Sequence, residues 1–299
     1  MANFTKTDRH NIPFFSGGIR HTIVTVEIGP DKTPFTAHKD LLVACSPYFK
    51  AAFEGSFREA SEKSVHIADV KPSTFQHFLD WLYFKKLGWC FPGRKAQEGE
   101  RRCVICGGIC QRWKTLSADG AEFQPYPVLS DEDDKILEQV IDSRSSGFAS
   151  LYVFADRCNV PDLREAIINK EWIEFKGSGN LWRWSSLIYM LRNTSSSSPL
   201  RRLVVDECMD AKRWPDEFCM AETLLRQKLP HEFLLSMMWE KLTAPRSEPH
   251  VGPLCQYHEH AQDVDTIKAC VEKAEATRKR KRDVSDVKDK ILGEGENEE

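Results

Sequence analysis

FTAHKDLLVACSPYFKAAF, residues 35–53, is the stretch whose reading decides the fold. Leu41, Leu42 and Cys45 recur at helical spacing, and Tyr48, Phe49, Ala52 and Phe53 resume the same period after Ser46-Pro47. Serine is a good N-cap and proline suits a first helical turn, so this pair divides two short helices. Gly55 and Ser56 end the second. Upstream, residues 21–28 (HTIVTVEI) alternate, with Val26 and Ile28 on one face and Thr25 and Glu27 on the other. The run is rich in β-branched residues and reads as a strand, broken by Gly29-Pro30-Asp31. Residues 33–38 (TPFTAH) resume as a second strand and complete a hairpin.

Downstream, Val65, Ile67 and Val70 suit a third strand, with Ser64 and His66 on its other face. Lys71-Pro72 opens a helix whose apolar stripe is Phe75, Phe78, Leu79, Leu82 and Tyr83. Residues 86–130 break the pattern with many glycines, prolines and charges and read as an inserted loop. Order returns at Asp131-Glu132-Asp133-Asp134, where acidic residues suit the positive end of a helix dipole. Phe148 to Cys158 forms a helix, Asn159-Val160-Pro161 stops and restarts it, and Leu163, Ala166, Ile167 and Trp172 carry the next. Gly177-Ser178-Gly179 reads as a linker. Beyond it the pattern is only helical. Leu187, Ile188 and Leu191 mark one helix, Leu200, Leu203, Val204 and Cys208 another, and Phe233, Leu234, Met237, Met238 and Leu242 a last.

The residues within this order resemble the BTB/POZ family, and in detail its fungal members. The matching blocks are FTAHKDLL at 35–42, CSPYFKAAF at 45–53, EASEKSVHI at 59–67 and LYVFADRCNVPDLR at 151–164. Two features depart from the family pattern. His21-Thr22 stands where an aspartate is usual, and the 86–130 loop is longer than in the compact domain. The resemblance implies an α+β BTB/POZ fold, short strands and a hairpin packed on a helical cluster, followed by an all-helical C-terminal region. The expected organisation is a tail at 1–18, the BTB/POZ-like domain at 19–175, the helical region at 176–275 and a charged, disordered tail at 276–299. The resemblance also implies a non-enzymatic module with protein partners, homodimerising through its first strand and first two helices. Many family members are substrate adaptors of cullin-type ubiquitin ligases, which makes a cullin a candidate partner; others assemble transcriptional repressors. The positions that the analogy nominates for contact are Leu41, Leu42, Ala44, Tyr48 and Phe49.

Bulk properties agree with such a module. Over 299 residues, 41% are hydrophobic and 10% aromatic, enough for a buried core. The charges nearly cancel at a net −3, which gives no global attraction to nucleic acid or anionic lipid. No apolar run has the length of a bilayer span, and the first ten residues carry charges where a signal peptide is apolar. The expectation is an intracellular protein, nuclear or cytoplasmic, without membrane attachment. No G-x-S-x-G elbow, P-loop, H-E-x-x-H or strand-linked G-x-G-x-x-G is present, so no enzyme is expected.

Ten cysteines in a reducing compartment point to thiols or metal ligands rather than disulfides. Cys45, Cys158 and Cys208 lie in apolar patterns and read as small core residues. Within the insertion, Cys103, Cys106 and Cys110 have C-x2-C-x3-C spacing, with Cys90 as a fourth thiolate donor for zinc. A weaker second candidate is Cys255, His258, His260 and Cys270, a Cys2His2 set by donor type. A metal site there requires a turn. The simpler reading is a polar segment with one buried thiol; a composite site joining both clusters is the other alternative. Arg278, Lys279, Arg280, Lys281 and Arg282 form a basic run that reads as a nuclear-import signal, a phosphate contact or a solvated basic end of a final helix. No aromatic interleaving or recognition helix supports sequence-specific DNA binding.

Overall fold

A computed structural model describes residues 22–87, 130–144, 147–178, 182–210, 224–243, 253–260 and 263–272. Its contacts divide the chain into two units, Met1–Val251 and Gly252–Glu299. The expected tails at 1–18 and 276–299, and all of the insertion except Lys86, Leu87 and Ser130, lie outside the described residues.

In the first unit, β1 (Ile23–Ile28) and β2 (Thr33–His38) form the expected antiparallel hairpin, with Val26 opposite Phe35. Gly29 takes a φ of 79°, the left-handed region open to glycine, where the chain leaves β1. Strand alternation is as read: Val24, Val26 and Ile28 are buried, while Thr25 and Glu27 are half-exposed. β3 (Ser64–Ile67) lies parallel to β1, with Val65 beside Val26, so the sheet order is β2-β1-β3. A parallel pair needs a crossover connection, and this one runs through α1 (Lys39–Cys45), α2 (Pro47–Glu54) and α3 (Arg58–Glu62). The sequence reading has no helix at α3. Its five residues bury nothing, so no apolar period marks it.

α4 (Pro72–Phe84) is the helix expected after Lys71-Pro72, turned slightly from the expected stripe. Phe75, Phe78 and Leu82 are buried with Thr74 and Trp81, while Leu79 and Tyr83 are half-buried. An aromatic cluster joins it to α2 and to the far side of the insertion. Phe78 lies with its ring 4.9 Å from Phe154 and 6.1 Å from Phe49, and Phe75 lies 5.9 Å from Phe154. Such offset and edge contacts add to what area burial alone contributes.

Among the described residues the longer elements that follow in this unit are helices. They are α5 (Asp131–Arg144), α6 (Phe148–Arg157), α7 (Pro161–Ser178), α8 (Trp184–Asn193), α9 (Pro199–Asp210) and α10 (His231–Thr243). Ser130 caps α5 in a reciprocal box: its hydroxyl accepts the Asp133 N–H at 3.2 Å, and the Asp133 carboxylate accepts the Ser130 N–H at 3.2 Å. α6 is buried from Ala149 to Ala155 and packs on α4, α7 and α8. The expected linker at Gly177-Ser178-Gly179 is corrected: α7 continues through Gly177 to Ser178. The last apolar series does lie on a helix, α10, which buries Phe233 but exposes Leu234, Met238 and Leu242. No strand follows β3 among the described residues, which makes the architecture α+β, short strands and helices followed by a helical C-terminal region. Among the described residues no helix is long and apolar enough to cross a membrane.

In the second unit a 3-10 turn at Leu254–Tyr257 is followed by bends at 258–260 and a short helix at 264–272.

Candidate functional site

The helices after β2 are fixed by polar contacts with distant elements. The Tyr83 hydroxyl accepts the His38 backbone N–H at 3.1 Å and meets the ring Nδ1 at 2.9 Å, which ties the β2–α1 junction to α4. His38 thus fixes a turn, through a partner 45 residues away. Ser46 Oγ accepts the Phe49 N–H at 3.2 Å, capping α2, and donates to the Cys158 carbonyl at 2.5 Å. The two sequence blocks around 35–53 and 151–164 are therefore joined by a buried hydrogen bond as well as by Phe49, Phe78 and Phe154. Arg164 is buried at the α6–α7 turn, its guanidinium donating to the Ala155 carbonyl at 3.3 Å and lying 3.8 Å from Asp156.

This scaffold sorts the five nominated contact residues. Leu41, Leu42 and Phe49 are 5%, 0% and 0% exposed, so they belong to the domain's own core. Their amphipathic period carried them inward. Ala44 is exposed and Tyr48 is 37% exposed, and Ala51 joins them on the outer side of α1–α2. Partial burial raises the Tyr48 phenol above its usual range. Phe57 and Phe84 are further exposed aromatics in the same domain. Phe84 lies off the α4 stripe, a signal available in the sequence; Phe57 gives no such signal.

Burial pushes the Cys45 and Cys158 thiols up to about 12 and raises Cys208 further, so none supplies a thiolate near neutral pH. In the helical region α10 presents Leu235, Met238, Trp239 and Leu242 to solvent at i, i+3, i+4, i+7 spacing, and with Ser236 they line a shallow apolar hollow.

The second unit brings the Cys/His set together. Cys255 lies in the 3-10 turn, and the His258 N–H closes it by donating to the Cys255 carbonyl at 3.2 Å. Asp263 then starts the 264–272 helix, its carboxylate accepting the Thr266 N–H at 2.9 Å, and the helix returns Cys270 to the turn. Cys255 Sγ lies 3.0 Å from His260 Nε2, and Cys270 Sγ lies 3.0 Å from His258 Nδ1. The four potential ligand atoms all lie within 4.8 Å of one another. The segment is not extended, and the turn that the sequence reading required is present. Cys90, Cys103, Cys106 and Cys110, and the basic run Arg278 to Arg282, lie outside the described residues.

The family model for the BTB/POZ domain matches residues 20–96. Over 61 residues the chain is 36% identical to human Kelch-like protein 26, covering 20% of this chain and 10% of that protein. It is 34% identical to Kelch-like protein 3 of Bos taurus over 64 residues, covering 21% and 11%. With human Kelch-like protein 2 it is 34% identical over 111 residues, covering 36% and 18%. The chain thus spans between about a tenth and a fifth of the length of these relatives. Both the matched span and the described β2-β1-β3 sheet with its crossover helices lead to one statement: this chain carries a BTB/POZ domain, followed by a helical C-terminal region.

Proposed function

We propose that the chain is an interaction scaffold whose BTB/POZ domain self-associates or recruits a protein partner through β1, α1 and α2. The observation that carries this reading is the family match over residues 20–96, the span that contains the hairpin, α1, α2 and α4. The outward Ala44, Tyr48 and Ala51 support it, as a small apolar patch on helices that Ser46 and His38 hold in place. On this reading the output is contact, with no reaction catalysed. Light scattering coupled to size exclusion tests it on the full chain: the mass should be twice that of one chain, and Ala44→Glu with Tyr48→Glu should halve it without changing the circular dichroism. A wild-type chain that stays monomeric and retains no protein partner in affinity purification with mass spectrometry would sink the reading.

A second reading is a substrate adaptor of a cullin-type ubiquitin ligase, a role common in the family and favoured by similarity to Kelch-like proteins. It expects a cullin in the pull-down, lost in the same double variant. A third is a nuclear or chromatin-associated factor, supported by the RKRKR run. Neutralising Arg278 to Arg282 should then abolish nuclear signal. The likeness of the sequence blocks to fungal members belongs to this proposal too; the relatives named above are mammalian.

A further inference from the structure

We propose that Cys255, His258, His260 and Cys270 form a structural zinc site that organises the C-terminal unit. The donor set comes first. Two thiolates and two imidazoles are the ligands of tetrahedral structural zinc, and C-x2-H-x-H-x9-C is the spacing here. With Zn–S near 2.3 Å and Zn–N near 2.0 Å, tetrahedral donors stand about 3.3–3.8 Å apart. The 3.0 Å sulfur–nitrogen pairs and the 4.8 Å outer limit bracket that range, so side-chain rotations close the sphere without moving the turn. His258 offers Nδ1 and His260 offers Nε2, the atoms that face the two sulfurs.

Electrostatics favour the metal in this setting. Cys255 and His258 are each 5% exposed. Binding releases one proton from each thiol, and two thiolates then cancel the charge of Zn2+, while both imidazoles stay neutral. The completed site carries no net charge and suits burial.

The size of the unit makes the same demand. Its buried residues among those described are Cys255, Tyr257 and His258, whereas Val264 and Val271 on the helix are exposed. Units with so little apolar burial usually need a disulfide or a metal. The two thiols form no disulfide, and a metal held by four side chains ties the 3-10 turn to the helix.

The test uses the full chain, free of affinity tags, in a Cys103→Ser, Cys106→Ser background that disables the insertion cluster. Elemental analysis should find one zinc per chain. Cobalt(II) in its place should give the intense visible bands of a tetrahedral site with thiolate charge transfer. Cys255→Ser with Cys270→Ser should remove the metal, His260→Ala should weaken it at least tenfold, and His260→Cys should retain it with a stronger thiolate band. If the serine variants do not fold, the cobalt spectrum of the background protein and the His260→Cys shift still decide the matter. The proposal fails if the background protein holds no zinc and shows no tetrahedral cobalt band. It fails if zinc survives loss of Cys255 and Cys270, or if intact mass shows these two joined as a disulfide. Loss of zinc on removing Cys103 and Cys106 alone would overturn it in favour of a composite site.

Discussion

Ser46 Oγ accepts the Phe49 N–H at 3.2 Å and donates to the Cys158 carbonyl at 2.5 Å, in a position 1% exposed. A capping serine alone contributes about 1 kcal/mol. Here removal also strands a buried carbonyl, a further cost of about 1–3 kcal/mol. Ser46→Ala should therefore lower the unfolding free energy by about 2–3 kcal/mol in urea titration, while Ser46→Thr, which keeps the hydroxyl, should cost less. An unchanged urea midpoint for Ser46→Ala would show that the bond to Cys158 contributes nothing. The capping half of this role was legible at Ser46-Pro47; the reach to Cys158 was not, because nothing local in residues 45–53 records a partner 112 residues on. The thiols make a second case. Cys158 is raised to about 12 and Cys208 beyond it, both by burial first of all. At pH 8 both should resist maleimide in the native protein and react fully in urea, followed by peptide mass spectrometry. Their apolar sequence context alone predicted that inertness, since desolvation opposes the thiolate.

At the scale of elements, helical phase was readable only where one face was buried. α4 and α6 repeat apolar residues because each covers a core, and their ends came out close to the expected ones. α3 covers nothing and left no period, and α10 carries more apolar residues than its packing against α9 uses. Least legible of all was the packing of α7 on α9, which buries Glu171 and Glu207, 3% and 1% exposed. Burial pushes the Glu171 carboxyl up to about 8, helped by Glu174 and opposed by a hydrogen bond from Trp182 and by Lys170. Burial also raises Glu207, whose two oxygens have no hydrogen-bond partner among the described residues; Glu171 and Asp206 add to this and Lys176 opposes it. Both acids favour their protonated forms when folded, whereas the unfolded chain ionises near 4.5. Above about 4.5 the folded state binds more protons, so stability should fall as pH rises toward about 8, where the Glu171 contribution levels off. Glu171→Gln with Glu207→Gln should flatten that slope and raise stability at pH 8 by on the order of a few kcal/mol. Urea unfolding at pH 5, 6, 7 and 8 measures it, and a wild-type stability that climbs across this window would refute the assignment.

For the whole molecule, the BTB/POZ architecture was legible because its matched blocks are short, dense in apolar residues and continuous in sequence, as from Phe35 to Phe53. The division at Val251 went unread although Pro245, Pro249, Gly252 and Pro253 crowd the sequence there, the composition of a chain break. The Cys/His set was legible by donor type alone; its geometry depends on the 3-10 turn at Leu254–Tyr257, which carries no repeating pattern. Two units with different sources of stability should respond differently to metal removal. The first rests on aromatic packing around Phe78 and Phe154, which a chelator does not touch. Among its described residues the second has the His258 N–H to Cys255 at 3.2 Å and the Ile267 N–H to Asp263 at 3.0 Å, with few buried apolar side chains behind them. If zinc holds that turn and helix together, a strong chelator should abolish amide protection in peptides spanning 254–272 while leaving β1 and α6 protected. Hydrogen exchange with mass spectrometry on the full chain reads both regions at once. Equal loss of protection in β1 and α6 would mean that the metal supports the whole chain. Unchanged exchange at 254–272 after zinc is shown to be gone would mean that its backbone folds without the metal, and the structural role assigned to the site would fall.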